Sequence, residues 1–112
     1  QVGQALGQEQ EQGRMVGVIL SSLGEAEAAT KAFKRAVFLE PDFIEALYHL
    51  GLLSLRQGRL RFAIKYLENV ITVAKGRDGE SSAVAGMTNR EVVDVLQAEI
   101  RYHARAAEDG EP

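Results

Sequence analysis

Five residue pairs recur along this chain at one fixed spacing of 34 residues: Gly17 with Gly51, Gly24 with Gly58, Ala29 with Ala63, Phe33 with Leu67 and Ala36 with Val70. Five positions in one register imply a duplicated supersecondary unit that stacks against its own copy. The apolar residues say what the unit is made of, because they return at three- and four-residue steps. Val16, Leu20 and Leu23 make one stripe; Ala29, Phe33, Ala36 and Val37 a second; Phe43, Leu47, Leu50 and Leu53 a third; Leu60, Ala63, Ile64, Leu67 and Ile71 a fourth. Strand-like alternation is nearly absent, and Val70-Ile71-Thr72-Val73 sits inside a helical pattern. Gly24 and Gly58 separate the helices within each unit. Pro41 separates the units, because proline lacks an N–H and disfavours helix at the residue before it. The pattern predicts helices over about 11–23, 26–39, 42–56 and 60–75. Asp42 and Glu45 form an Asp-x-x-Glu start signal for the third.

A turn-rich stretch from Lys75 to Ser82 follows, read as a linker over 78–87. Thr88-Asn89-Arg90-Glu91 is a capping box, with Met87 and Val92 as its hydrophobic staple. It opens a fifth helix, over about 89–107, with an expected apolar side of Val92, Val95, Leu96 and Ile100. The organisation is then a flexible segment over 1–10, repeat units over 11–43 and 44–77, the linker, a C-terminal capping helix over 88–107 and an acidic tail over 108–112.

Composition removes several classes of function. The apolar fraction of 46% and charged fraction of 26% are those of a soluble globular chain. There are no cysteines, so neither disulfides nor thiolate metal sites exist. No apolar run of membrane-spanning length and no signal-peptide core occur, which makes a cytoplasmic location the default. The net charge of −3 is small and mixed in sign, unlike the concentrated basic face that nucleic acid requires.

The spacing of 34, the paired helices and the order Val16-Gly17, Ala29, Phe33, Pro41 resemble the tetratricopeptide repeat, and Leu50-Gly51, Ala63 and Leu67 repeat that order. The fold class expected is all-α: two tetratricopeptide helix-turn-helix repeats plus a C-terminal capping helix, a short α-solenoid. Glycine and alanine at the crossing let antiparallel helices approach, and the large residue fills the gap. The chain departs from the pattern at Gly13, where it wants Trp, at Ser54, where it wants Tyr, and at Lys75, where it wants Pro. Two repeats are fewer than such arrays usually need, so the fifth helix is the natural cap.

A narrower likeness lies in the second copy. Residues 38–58 read Phe-Leu-Glu-Pro-Asp-Phe-Ile-Glu-Ala-Leu-Tyr-His-Leu-Gly-Leu-Leu-Ser-Leu-Arg-Gln-Gly, followed by Phe62-Ala63, Leu67-Glu68-Asn69 and Gly86-Met87-Thr88. This resembles the C-terminal tetratricopeptide tail of bacterial chemotaxis receptor methyltransferases. The resemblance implies a regulatory or targeting piece of a longer enzyme that methylates receptor glutamates with S-adenosylmethionine. It implies as partners the receptor cytoplasmic region, a response regulator or the catalytic domain itself. The chain alone carries no Gly-rich cofactor turn, so no cofactor and no catalytic residue are assigned.

In tetratricopeptide repeats the first helix of each pair lines a concave face. The resemblance therefore implies contact residues Arg14, Met15, Val18, Ser21 and Ser22 in copy one, and Glu45, Tyr48, His49, Leu52, Leu55 and Arg56 in copy two. Tyr48 and His49 have flat bodies with polar tips, and Arg56 can pair with a carboxylate; Leu52 and Leu55 serve equally as packing residues. Val18 and Leu52 stand where chaperone-tail clamps carry Asn. Arg56, Arg59, Arg61 and Lys65 form a basic cluster, read either as a solvated helix end or as a dock for an acidic partner. His49 and His103 have no metal-ligand spacing, and the serines no nucleophile-elbow context. The fifth helix caps the array, fills the groove or swaps onto a neighbour, with capping the plainest choice. A monomer or weak dimer is expected.

Overall fold

A computed structural model of the chain describes residues 25–109. The helix expected over 11–23, with Gly17 and Gly24, lies outside the described residues. Those described form four α-helices and one β-ribbon: α1 (Ala26–Leu39), α2 (Ile44–Arg56), α3 (Leu60–Lys75), β1 (Ser82–Val84), β2 (Met87–Thr88) and α4 (Asn89–Asp109). This is the all-α stack of paired helices that the repeat predicts.

The boundaries follow local chemistry. Helix α1 stops ahead of Pro41 with Glu40 in extended backbone, its N–H donating to Ala36 O. Pro41 and Asp42 then form a turn closed by Phe43 N–H to Glu40 O at 3.0 Å. That turn corrects the expected start of the third helix. Asp42 is held inside it and cannot cap; the N-cap is Phe43, without a side-chain cap bond, and the helix begins at Ile44. Asp42 meets Arg77 instead, which donates to its carbonyl at 3.1 Å and lies 3.8 Å from its carboxylate. Helix α2 ends in a Schellman motif: Arg59 N–H reaches Ser54 O at 2.9 Å and Gly58 N–H reaches Leu55 O at 3.1 Å. Gly58 sits at φ +74°, where a side chain would be strained.

Helix α2 is a wedge between two cores. Ala46, Leu50 and Leu53 pack with Ala29, Phe33 and Ala36 of α1. Ile44 and Leu47 pack with Leu67, Val70, Ile71 and Ala74 of α3, and this second core continues to Val84, Val92 and Leu96. The repeat residues Ala29, Phe33, Ala36, Ala63 and Leu67 are all buried, whereas Pro41 is exposed. At Gly51 α2 meets Leu67 of α3 so closely that a Cβ there would lie 2.5 Å from Leu67 Cδ2.

The stretch expected as a linker holds the ribbon. Ser82 pairs with Thr88 and Val84 with Met87, antiparallel, around Ala85 and Gly86. Ala85 at φ 54° and Gly86 at φ 76° give the two left-handed central residues of a tight hairpin turn. Asparagine suits the first of these positions and alanine does not. Ala85→Asn is therefore expected to raise stability by about 0.5–1 kcal/mol, read as a higher urea midpoint with an unchanged slope.

The capping box at the start of α4 is formed: Thr88 N–H donates to Glu91 Oε1 at 2.9 Å, and Glu91 N–H to Thr88 Oγ1 at 3.2 Å. Met87 and Val92, the staple pair, lie in the same core. The Thr88 backbone N–H, then its hydroxyl, hold the Glu91 carboxyl below its usual pKa, against a small opposing effect of desolvation. A carboxyl lowered in the folded state contributes stability above its unfolded pKa and loses it as pH falls through the folded value. Acid titration of stability should thus show a Glu91-dependent loss below the ordinary glutamate range. Glu91→Gln, which has no charge to lose, should remove that component of the acid slope.

Candidate functional site

The candidate contact residues of α2 divide into two groups by helical geometry. Glu45, His49, Leu52 and Arg56 are spaced at four, three and four residues and share one strip, opposite the buried Leu47, Leu50 and Ser54. Glu45, His49 and Leu52 are half-buried and Arg56 is exposed at the helix end. Tyr48 and Leu55 lie to one side of that strip and pack against the core shared by α3, the ribbon and α4. Arg14, Met15, Val18, Ser21 and Ser22 lie outside the described residues.

His49 is held as an aromatic. Its ring stacks on Phe33 of α1 at 5.1 Å with an interplanar angle of 18°, and meets Tyr48 edge-on at 5.8 Å. Contacts with two rings fix the orientation of the imidazole. The ribbon packs against both α2 and α4, bounding the α2 strip on the Tyr48 and Leu55 side. Sequence patterning missed this boundary, because three- and two-residue strands leave no alternation long enough to read.

The basic cluster is present at the α2–α3 corner. Arg59 is the N-cap of α3 without a side-chain cap bond, and no acidic residue stands in the first turn. Arg56, Arg61 and Lys65 are exposed there, as is Phe62 at 58%. His103 lies on α4, with Nε2 3.2 Å from a Glu99 carboxylate oxygen. Among the described residues no group of three or more His, Cys, Asp or Glu converges as a metal site, and no helix is long and apolar enough to cross a membrane. Ser81 has a structural role, donating from its hydroxyl to Asp78 Oδ2 at 3.0 Å.

Helix α4 corrects one further expectation. Val92 and Leu96 are buried and Ile100 is half-buried against the core, but Val95 is 45% exposed. Residues 92, 96 and 100 form one line along the helix, and Val95 stands about 100° from Leu96. The residue that sequence reasoning passed over is Asn89. Its side chain is 1% exposed and its amide donates to Asp78 O at 2.9 Å and Ser81 O at 3.2 Å.

Stacked helical hairpins joined by tight turns define a helical-repeat protein, a class whose extended faces hold other proteins. The sequence model of the tetratricopeptide repeat matches residues 15–43 and 44–76, and the chain belongs to that family. The curated proteins include a relative, the peroxisomal targeting signal receptor of Saccharomyces cerevisiae (strain ATCC 204508 / S288c). It is 27% identical over 86 residues, covering 73% of this chain. The chain spans only 14% of that relative's length. Membership makes the chain a protein-interaction module.

Proposed function

We propose that the chain holds an extended segment of a partner protein along the α2 strip of Glu45, His49, Leu52 and Arg56, and that Arg14, Met15 and Val18 contribute further contacts. The observation that carries this reading is the division of α2: Tyr48 and Leu55 serve the core, whereas the strip beside them mixes an acid, a stacked imidazole, a leucine and an arginine. Such a strip supplies one apolar anchor between charges of opposite sign, which fixes the direction of a bound peptide. A relative whose name describes reading a targeting signal supports capture of a protein segment.

The setting we favour is the regulatory or targeting tail of a chemoreceptor methyltransferase, in the cytoplasm. It is supported by the stretch from Phe38 to Gly58 and by Gly86-Met87-Thr88 ahead of the last helix. The partner is then a receptor cytoplasmic region, a response regulator or the methyltransferase domain. Calorimetric titration of the chain with each should find one binder, and Leu52→Arg should weaken it at least about tenfold by setting a charge in the anchor position. Binding by none of the three sinks the methyltransferase setting. A binder indifferent to Leu52→Arg moves the site away from α2.

A further inference from the structure

The face of α4 turned away from the core carries a second surface. Glu91, Val95, Ala98, Tyr102 and Arg105 are all exposed, Val95 at 45% and Tyr102 at 68%, and succeed one another at steps of four, three, four and three residues. That alternation is the seam of a helix that packs on another helix. Ala98 at its middle is small, and a shallow hollow lined by Ala98, Arg101, Tyr102, Ala104 and Arg105 opens beside it. The charges along the seam are ordered: Glu91 and Asp94 precede Ala98, and Arg101 and Arg105 follow it. Asp94, Arg101 and Arg105 have no ion-pair partner among the described residues.

This order is self-complementary in one orientation only. A second copy of α4 laid antiparallel, with the two-fold axis near Ala98, sets each Tyr102 beside Val95 of the other helix. It also brings Arg101 and Arg105 of one copy beside Asp94 and Glu91 of the other. A parallel pair would instead align Asp94 with Asp94 and Arg101 with Arg101, and like charges repel. We propose that this stripe is the contact of an isologous dimer, in which two chains pair antiparallel through α4. The contact leaves the α2 strip uncovered and stands independently of the peptide-binding reading. One helix of 21 residues is about 31 Å long. A single seam of this length falls in the small, weak class of interface, so half-dimerisation is expected on the order of 0.1 mM.

Sedimentation velocity of the whole chain, from micromolar to millimolar concentration, tests it. The expected result is a monomer–dimer shift that weakens as salt rises. Ala98→Glu should reduce association about tenfold or more. Asp94→Arg should also reduce it, and Asp94→Arg combined with Arg101→Asp should restore it, because the pairing is then reversed but complementary. All three sites are exposed, so circular dichroism should show unchanged helicity; should Ala98→Glu lose helicity, the charge exchange alone decides. A chain monomeric to millimolar concentration overturns the proposal, as would occupation of the stripe by a different protein. A dimer insensitive to both Ala98→Glu and the charge exchange overturns it equally.

Discussion

Gly51→Leu is expected to lower stability by about 3 kcal/mol, the upper part of the range for overpacking a well-filled core. Even the first added carbon has no room. A Cβ at position 51 would lie 2.5 Å from Leu67 Cδ2, 2.8 Å from Leu67 Cγ and 3.6 Å from the Ala63 carbonyl oxygen. Leu67 is 1% exposed and packs in one cluster with Leu47, Val70 and Ile71, so moving it disturbs that core. Gly51→Ala makes the competition plain. Alanine gains about 1 kcal/mol over glycine in a helix interior, and the crossing opposes it with a contact shorter than any carbon pair tolerates. The net result should be a loss, smaller than that of leucine, in chemical denaturation. A stability gain of the full helix-propensity value in Gly51→Ala would show that the helices are not in close contact.

The same contact predicts coupling. Leu67→Ala alone should cost about 2–5 kcal/mol through lost burial and the cavity left behind. Combined with Gly51→Ala, the added methyl group moves into part of the vacated space. The double variant should then be more stable than the sum of the single effects, by about 0.5–3 kcal/mol. This is the physical meaning of the 34-residue register: the small residue in one helix and the large one in its partner are a matched pair.

The repeat was legible because its determinants are steric and periodic. Ala29, Phe33, Ala36, Ala63 and Leu67 all stand in the 34-residue register, and each is buried. What escaped the sequence is local and aperiodic. Asp42 has the right chemistry for a cap, but the Glu40–Phe43 turn holds it one residue short of the position. The ribbon depends on the backbone of Ala85 and Gly86, and alanine gives no signal of a left-handed conformation. Val95 reads as core on hydrophobicity, and only its angle around the helix places it outside. On α2, the repeat register named the candidate residues. It could not separate Leu52 from Leu55, since that division rests on the ribbon and α4 packing against one flank.

Asn89 carries the second large effect, and the order of stability expected at neutral pH is Asn, then Ala, then Asp. The wild-type amide donates to Asp78 O and Ser81 O from a site that is 1% exposed, while the Asn89 backbone N–H also reaches Ser81 O, at 2.9 Å. These bonds fasten the 78–81 loop to the start of α4. Asn89→Ala removes two neutral hydrogen bonds but strands no carbonyl: Asp78 O keeps the Ser81 N–H and Ser81 O keeps the Asn89 N–H. A loss of about 1–3 kcal/mol follows. Asn89→Asp keeps the shape and replaces the donor with a carboxylate facing two carbonyl oxygens. Two effects then compete. The α4 N-terminus favours a negative charge by about 0.3–2 kcal/mol, and an uncompensated buried charge costs about 3–5 kcal/mol. Burial is the larger, so the aspartate variant should be the least stable of the three. Its deficit relative to the parent at the same pH should shrink as pH falls, because a protonated carboxyl regains one donor for the loop carbonyls. Urea denaturation of the three chains at neutral and mildly acidic pH reads both the order and its pH dependence. An aspartate variant more stable than the alanine one at neutral pH would mean that the field of the helix end, not the desolvated pair of carbonyls, governs this position.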